Sequence, residues 1–319
     1  MRKPKVVITP RSFPWSIEEI CEPLKKQGYH LIKNPYGRVL TEDEMCELCR
    51  DVDGIIAGGD PITGRVLHEA KYLKGISKYG SGLDTIDMDA ACKLGIAVKG
   101  GAGANAVSVA ELAIALLICA YRGICSSALS TKSDGWKETR GREVMGSTVG
   151  IVGCGNIGRE FAKRVSAFGA NVLIYHRRPV QQQVLDMCGA RQVSFDTLLA
   201  ESDAVSLHCP LTPQTVGLMG RDAIARMKNG AVLINTARGE LVDEDALYDA
   251  LTVGKLRAAA QDVFSCEPPE PGHKLLLLDN FMLTAHIGAS TDEAVIRMAT
   301  RAVENMVELL GCQTEQCVT

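Results

Sequence analysis

Short apolar runs rich in β-branched residues alternate along the whole chain with longer stretches of helical period. The apolar runs predict strands at 6–9, 54–57, 76–79, 96–98, 148–152, 172–175, 204–207, 231–235, 258–261 and 282–284. The stretches between them predict helices, among them 16–27, 87–93, 157–168 and 243–253. Because the strands are nearly continuous apolar runs, the alternation predicts the α/β class, with parallel sheets covered by helices on both faces.

The alternation falls into two blocks joined by a glycine-rich segment. The first block covers about residues 1–100, and the segment 99–105 that ends it contains three glycines. A long helix at 105–121 follows, then a second block at 148–287 and a last helix at 290–310. A length of 319 residues also predicts two domains of roughly 150 residues each.

Composition excludes several classes of partner. A net charge of −3 gives no basic surface for nucleic acid. The longest apolar run, 112–121, is about half a membrane span, so we expect a buried helix and no membrane contact. Residues 1–5 do not lead into a signal-peptide core, and 12 scattered cysteines are typical of a reducing compartment, so we expect a cytoplasmic location. Cys46 and Cys49 form one CxxC without a second pair, and we predict no metal site.

The strongest local signal is a glycine-rich turn between a predicted strand and a predicted helix. Gly153, Gly155 and Gly158 have the GxGxxG spacing directly after the strand at 148–152. In dinucleotide-binding domains the first glycine makes the turn, the second lets the backbone approach a pyrophosphate, and the third lets the helix pack closely. The N-terminus of the helix attracts the same anion. The alternative is a tight turn without a ligand.

The following strand ends in basic residues. Domains that bind NAD place Asp or Glu about 20 residues after the glycine turn, to bind the ribose hydroxyls. Here the strand at 172–175 is followed by His176, Arg177 and Arg178. A carboxylate would repel a 2′-phosphate, whereas guanidinium groups bind one. NADP(H) is therefore favoured, and NAD(H), with a solvated basic turn, is the alternative.

Three polar stretches, 235–239, 262–268 and 284–288, follow predicted strands of the second block. Ligands of open α/β sheets bind beyond the carboxyl ends of the strands, so Arg238, Glu267 and His286 can converge there. Arginine binds a carboxylate, histidine transfers a proton near neutral pH, and a carboxylate beside histidine favours its protonated form. The alternatives are that Arg238 forms a surface ion pair, that Glu267 is a solvated loop acid and that His286 is a satisfied core histidine.

Over essentially its whole length the chain resembles the D-isomer-specific 2-hydroxyacid dehydrogenases, particularly the phosphoglycerate-dehydrogenase-like branch. The resemblance rests on motifs in the family's order: Lys78–Asp87, Asn105–Glu111, Gly153–Gly158, Leu207–Thr212 and the three polar stretches. It implies two Rossmann-like or flavodoxin-like parallel-sheet domains with a cleft between them. Residues 1–101 plus 289–319 would bind substrate and 102–288 would bind NAD(P). It also implies a homodimer formed through the cofactor domain, with the region 105–121 contributing.

The resemblance assigns roles by motif. Arg238 resembles the arginine that orients the substrate, His286 the proton donor and acceptor, and Glu267 its carboxylate partner. The backbone N–H groups of Tyr79, Gly80, Ser81 and Gly82 would hold the substrate carboxylate. Residues implied along the cofactor are Gly153, Gly155, Asn156, Ile157, Gly158, His176, Arg177, Arg178, Cys209, Pro210, Thr236, Ala237, Asp262 and Gly288, with Asp262 at the nicotinamide end.

The implied reaction is hydride transfer between NAD(P)(H) and a small 2-keto or 2-hydroxy acid. For the substrate, 3-phosphoglycerate, glyoxylate and hydroxypyruvate are alternatives. Asp60 would repel a substrate phosphate unless Lys78 or Arg65 compensates. A phosphite dehydrogenase and a non-catalytic, corepressor-like nucleotide sensor are rivals, and the complete set of three catalytic residues argues against the second. We expect no regulatory extension after residue 319 and therefore no built-in serine feedback.

Overall fold

The computed structural model describes residues 2–133, 135–136 and 138–311. The chain divides into two compact units, one that runs to Asn105 and resumes at Ala289, and one that comprises Ala106–Gly288. The boundaries expected from the sequence, 101/102 and 288/289, differ from this division only at the first crossing. Residues 102–105 also belong to the first unit: Gly101 N, just before them, donates to Gly80 O (2.9 Å), and Arg297 Nε donates to Ala104 O (2.9 Å). Residues 312–319 of the expected first domain lie outside the described residues.

The first unit is a parallel sheet with helices on both faces. Its strands are β1 (Lys5–Ile8), β2 (His30–Lys33), β3 (Gly54–Ala57), β4 (Gly75–Lys78) and β5 (Ala97–Lys99). Its helices are α1 (Glu18–Lys26), α2 (Glu42–Cys49), α3 (Gly64–Glu69), α4 (Met88–Lys93) and, after the second unit, α12 (Asp292–Gly311). The strand order is β2-β1-β3-β4-β5. Val6 and Ile56 pack in a cluster with α1 and α12, whereas Val7 and Ile55 pack in one with α2, α3 and α4.

The second unit is a larger sheet of the same kind. Its strands are β6 (Thr148–Val152), β7 (Asn171–Tyr175), β8 (Ala190–Gln192), β9 (Ala204–Leu207), β10 (Ala231–Asn235), β11 (Leu256–Gln261) and β12 (Phe281–Leu283). Its helices are α5 (Ala106–Arg122), α6 (Ile124–Lys132), α7 (Asn156–Ala167), α8 (Gln182–Met187), α9 (Phe195–Glu201), α10 (Arg221–Arg226) and α11 (Glu244–Thr252). Short 3-10 turns occur at Gly239–Leu241 and Lys274–Leu277.

The strand order of the second unit creates a switch point. The order is β12-β11-β10-β9-β6-β7-β8, and all pairs are parallel. From β6 the chain proceeds outward through β7 and β8, then returns to place β9 on the other side of β6. Open α/β sheets bind ligands at the carboxyl ends of the strands beside such a reversal. The glycine turn after β6 and the segment after β9 therefore flank the crevice expected to bind a cofactor.

The predicted α/β class with two parallel sheets is confirmed, and the long apolar helix is α5, largely buried. The hydrophobic pattern does not predict β2 or β8. Both are short edge strands with polar residues and partly exposed side chains, so neither forms an apolar run. Cys46 and Cys49 both lie buried on α2. In the part of the chain that is described, no single helix has the length and apolar composition of a membrane span; α5 and α6, bent by 69°, meet that test only as a pair.

Candidate active site

Three neighbouring strands of the second unit carry the predicted catalytic residues at one edge of the sheet. Arg238 follows β10, Glu267 lies in the segment after β11, and His286 follows β12. These strands are adjacent and parallel, in the order β12-β11-β10. Their carboxyl ends therefore bring residues that are far apart in sequence to one edge.

His286 and Glu267 form a hydrogen-bonded pair. His286 Nδ1 lies 2.7 Å from Glu267 Oε2, and Phe264 N donates to Glu267 Oε1 (3.0 Å). The hydrogen bond with Glu267 raises the pKa of His286 above its usual value, although burial opposes the change. Burial also acts to raise the pKa of Glu267, but the hydrogen bonds from His286 and Phe264 outweigh it and lower that pKa. Both changes favour an imidazolium–carboxylate pair.

The other nitrogen of His286 remains available for chemistry. The His286 side chain is 52% exposed and that of Glu267 is 38% exposed. Among the described residues, none forms a hydrogen bond with His286 Nε2. With Nδ1 held by Glu267, Nε2 is the atom that can donate a proton to a ligand or accept one from it.

Arg238 lies in the same electrostatic neighbourhood. Its guanidinium charge acts to lower the pKa of both Glu267 and His286. Its own loop is held by Asn235, whose amide donates to Arg238 O (2.8 Å) and accepts from Ala237 N (3.0 Å). The next residue, Gly239, touches the backbone of Phe264 and Ser265 so closely that no Cβ could be placed there. The Arg238 loop and the Glu267 loop are therefore packed together.

Asp262 holds the backbone that carries His286. It is 1% exposed and accepts hydrogen bonds from Thr284 Oγ1 (2.5 Å), Ile287 N (2.8 Å) and Gly288 N (2.7 Å). These bonds fix the backbone on both sides of His286. His286 has a φ of +53°, which residues other than glycine seldom adopt. The resemblance implies that Asp262 and Gly288 lie along the cofactor, and in the structure Gly288 N donates to Asp262 Oδ2. Asp262 acts first as an anchor of the histidine loop.

The glycine turn has the geometry that a dinucleotide requires. Gly153 has φ +107°, and a Cβ there would lie 2.6 Å from His208 O. A Cβ on Gly158 would overlap the carbonyl oxygen of Gly153, whereas a Cβ on Gly155 would meet nothing within 4 Å. The turn is thus closed on its protein side and open at Gly155, beside the N-terminus of α7. The chain's own residues fit a pyrophosphate here.

The basic turn after β7 contains one histidine whose ring accepts a backbone hydrogen bond. Cys154 N donates to His176 Nδ1 (3.3 Å), so this nitrogen is an acceptor and carries no proton. Burial, followed by the charges of Arg159, Arg178 and Arg177, lowers the pKa of His176. The lowered pKa favours the neutral form of His176, so the fixed positive charges of this turn are those of Arg177 and Arg178. Arg177 and Arg178 are exposed, and among the described residues neither has a carboxylate partner.

The remaining cofactor candidates lie at the same edge of the sheet. Asn156 (exposed) and Ile157 (half-buried) form the first turn of α7. Cys209 and Pro210 follow β9, and burial raises the pKa of the Cys209 thiol to about 11, so it stays protonated. Thr236 and Ala237 follow β10, and Thr236 Oγ1 is buried without a partner among the described residues. An orphaned hydroxyl at this edge fits a polar ligand.

The His208 side chain packs against the glycine turn, and its buried Nδ1 has no hydrogen-bond partner among the described residues. Its Nε2 lies 2.8 Å from Ser206 Oγ, and its ring packs against Phe161 with centroids 4.9 Å apart. Burial lowers its pKa to about 3, so the ring is neutral at physiological pH. It supports the glycine turn from behind, since a Cβ on Gly158 would lie 3.5 Å from its Cβ.

The predicted carboxylate-binding segment lies in the first unit and offers three amides rather than four. Tyr79 N donates to Ala57 O (2.9 Å), so this amide has an acceptor within the sheet, and the Tyr79 ring is buried near Phe13. Gly80 has φ +121°, and Ser81 Oγ donates to Asn105 Oδ1 (2.8 Å). Within the described ranges, the amides of Gly80, Ser81 and Gly82 have no acceptor.

Comparison with known proteins identifies relatives of the whole chain. Residues 114–288 match the family model described as "D-isomer specific 2-hydroxyacid dehydrogenase, NAD binding domain". The chain is 40% identical over 302 residues to a hydroxypyruvate reductase of Thermotoga maritima, covering 92% of this chain and 97% of that one. It is 39% identical to a D-3-phosphoglycerate dehydrogenase of Archaeoglobus fulgidus over 91% of this chain, but spans only 56% of that protein. A glyoxylate reductase structure from Paecilomyes thermophila superposes with a TM-score of 0.85 at 33% identity, covering 97% of this chain and 95% of that one.

Proposed function

The chain belongs to the D-isomer specific 2-hydroxyacid dehydrogenase family and is an NAD(P)-dependent oxidoreductase, and we propose that it reduces a small unphosphorylated 2-keto acid, hydroxypyruvate or glyoxylate, with NADPH. The observation that carries the proposal is the His286–Glu267 pair at 2.7 Å beside Arg238. This set supports proton transfer to a carbonyl whose neighbouring carboxylate is bound by a guanidinium.

His286 is the proposed proton donor in the reducing direction. Glu267 keeps the ring protonated and holds Nδ1, so that Nε2 faces the ketone oxygen of the substrate. When bound, a reduced nicotinamide supplies the hydride that C2 receives, and the proton from Nε2 completes the 2-hydroxy acid. General acid catalysis of this kind is worth roughly 10²- to 10⁴-fold in rate. In the oxidising direction the neutral ring accepts the proton instead.

Arg238 and the first unit are proposed to orient the acid. Arg238 of the second unit is proposed to bind a substrate carboxylate. In the first unit, the amides of Gly80, Ser81 and Gly82 have no acceptor among the described residues, and they are proposed as further carboxylate donors. In this assignment the first unit binds substrate and the second binds the cofactor. A fixed carboxylate holds C2 and its oxygen in one orientation, and positioning of this kind lowers the barrier by several kcal/mol, up to about 7–11.

NADPH is the proposed cofactor because of the residues that end β7. Arg177 and Arg178 are exposed without carboxylate partners in the described part of the chain, and no acid occupies the position that would bind a 2′-hydroxyl. Arg159 adds a third guanidinium beside the glycine turn, where its Nε donates to Cys154 O (3.1 Å). Guanidinium groups bind a phosphate through charge-assisted hydrogen bonds.

The proposed substrate carries no phosphate. Asp60, expected to repel one, is 1% exposed and accepts from Leu40 N (2.8 Å) and the Thr9 hydroxyl, so it does not face a ligand. The two cations that could bind a substrate phosphate, Lys78 and Arg65, already have other partners. Lys78 is buried and donates to Gly58 O (2.6 Å) and Thr85 Oγ1 (2.7 Å), and Arg65 pairs with acidic residues of α2 and α3. Neither is available for a distal phosphate.

A substrate panel tests these proposals together. Hydroxypyruvate, glyoxylate and 3-phosphohydroxypyruvate are each supplied with NADPH or NADH, and the loss of nicotinamide absorbance is recorded. We expect the highest kcat/KM for an unphosphorylated acid with NADPH. A preference for the phosphorylated acid would overturn the substrate, and a preference for NADH would overturn the cofactor. Absence of turnover with every acid would favour the nucleotide sensor. In a separate assay, a gain of nicotinamide absorbance with phosphite and NADP⁺ or NAD⁺ would favour the phosphite dehydrogenase.

A homodimer remains a proposal that the exposure of one segment supports. The segment formed by α6 and the residues after it has exposed apolar side chains, and α6 has no buried residue. Leu129 is 67% exposed and Trp136 is 82% exposed. A second copy that covered them would remove this apolar surface from water. Light scattering of the wild type and of Leu129→Glu tests this: we expect a dimer that the substitution weakens, and a monomeric wild type would contradict it.

The cytoplasmic location also stays a prediction. The ten cysteines of the described residues are free thiols, as expected for a reducing compartment. Fractionation of cells that express the native chain tests it, and recovery from the membrane or the medium would contradict it.

A further inference from the structure

One side chain holds the basic turn after β7. Gln192, the last residue of β8, donates from Nε2 to His176 O (3.2 Å) and Arg178 O (3.0 Å), and its Oε1 accepts from Val180 N (2.8 Å). The three bonds span the whole turn from residue 176 to residue 180. On its other side the turn is held by the bond from Cys154 N to the His176 ring.

The chemistry of these contacts requires a carboxamide. Two carbonyl oxygens need a donor and one N–H group needs an acceptor, and only the amide of Gln or Asn supplies both. The amide orientation is fixed, since exchanging its oxygen and nitrogen would break all three bonds. The backbone places Gln192 rigidly, because β8 pairs with β7 in register and Val193 N donates to Ile174 O (2.9 Å).

The turn held by Gln192 presents Arg177 and Arg178. Both side chains are exposed, and among the described residues neither forms an ion pair, so the backbone of the turn sets where they start. A long exposed side chain loses entropy when it binds a ligand, and a fixed backbone reduces that loss. Release of the turn would therefore weaken contacts with a group at the ribose 2′ position more than contacts with the rest of the cofactor.

We propose that Gln192 is a positioning residue that sets the discrimination between NADPH and NADH by clamping the 176–180 turn. The inference rests on the proposed cofactor site at this turn. It assigns to Gln192 no contact with the cofactor itself. Its effect reaches the ligand through Arg177 and Arg178.

The test compares Gln192→Met with Gln183→Met. Methionine keeps the length of the side chain and removes its hydrogen bonds. Gln183 is exposed on the neighbouring helix α8, and its side chain has no hydrogen bond among the described residues, so it is the matched control. Dissociation constants for NADPH and NADH are measured by nicotinamide fluorescence, and amide hydrogen exchange is measured at Val180.

We expect Gln192→Met to raise the Kd for NADPH about tenfold, the size of one charge-assisted hydrogen bond, and to change that for NADH by less than about twofold. The KM for NADPH should rise in parallel while kcat changes little, and exchange at Val180 should accelerate. Gln183→Met should match the wild type in each measurement. A loss of global stability would weaken the binding of both cofactors equally and would not move their ratio.

The outcomes separate this inference from the proposed cofactor. The wild-type ratio of the two Kd values tests the cofactor alone, and the change in that ratio on substitution tests Gln192. An unchanged ratio with faster exchange at Val180 would overturn the positioning role, and unchanged exchange would overturn the clamp. If Gln192→Met does not fold, Gln192→Leu replaces it, because its side chain has no hydrogen-bonding atoms and adds no charge beside Arg177 and Arg178; an unchanged ratio in this variant would likewise overturn the role.

Discussion

Substitution of Asp262 by Asn tests whether this carboxylate anchors the histidine loop. The three donors at 2.5–2.8 Å occupy both carboxylate oxygens of a side chain that is 1% exposed. An Asn amide can accept on one side only, so its NH₂ group must face a donor. Loss of a charged acceptor costs about 1.5–3 kcal/mol, and a buried unsatisfied N–H costs about 1–3 kcal/mol more, so we expect a loss of about 2.5–6 kcal/mol in the free energy of unfolding.

The same substitution should lower kcat more than it weakens cofactor binding. A loop displacement of about 1 Å at the reacting group costs on the order of 100-fold in rate. Asp262 also contributes to the raised pKa of His286, so the alkaline limit of the reduction should move to lower pH. Urea unfolding, kcat and the NADPH Kd are measured for Asp262→Asn and for Thr284→Val, which removes one donor and should cost about 1 kcal/mol. The anchoring role is refuted if Asp262→Asn keeps wild-type stability and kcat while only its Kd rises.

Two further substitutions address the site and the turn. Glu267→Gln removes the bond that raises the pKa of His286, so the decline of reduction rate at alkaline pH should begin at lower pH; an unmoved limb in the pH–rate profile would contradict the pair's role. The loss of thermal stability caused by Glu267→Gln should be largest at pH values between the lowered pKa of Glu267 and the raised pKa of His286. The ionised Glu267 stabilises the fold less as the pH falls through its pKa, and the protonated His286 stabilises it less as the pH rises through its own. Gly155→Ala adds a Cβ to open space, so its melting temperature should match the wild type while the Kd for NADPH rises at least about tenfold. Gly158→Ala should weaken NADPH binding and also lower the free energy of unfolding by about 1–3 kcal/mol. A wild-type Kd for NADPH in Gly155→Ala would argue against a pyrophosphate at the turn.

Much of the architecture follows from the order of residues alone. Buried parallel strands consist of apolar runs, so the alternation of such runs with helical stretches predicts both sheets. The GxGxxG spacing marks the turn between β6 and α7. The convergence of Arg238, Glu267 and His286 follows from the rule that places ligands at the carboxyl ends of parallel strands. The edge strands β2 and β8 escape this reasoning because exposure permits polar residues in them.

Properties that depend on the surroundings of a side chain could not be predicted in the same way. His176 reads as a cation in the sequence, but its protonation depends on burial and on the amide of Cys154. Asp60 reads as a charge facing a ligand, but Leu40 and Thr9 enclose it. Gln192 has no signal in the sequence, since its role arises from the register of β8 against β7.

The central claim, that His286 transfers the proton, is tested most directly by the turnover of His286→Asn. Asn tolerates the positive φ at this position and cannot act as a general acid, so the loop should keep its conformation. With hydroxypyruvate and NADPH at saturation, we expect kcat to fall roughly 10²- to 10⁴-fold while the melting temperature and the NADPH Kd stay near wild-type values. Turnover close to that of the wild type would contradict the account.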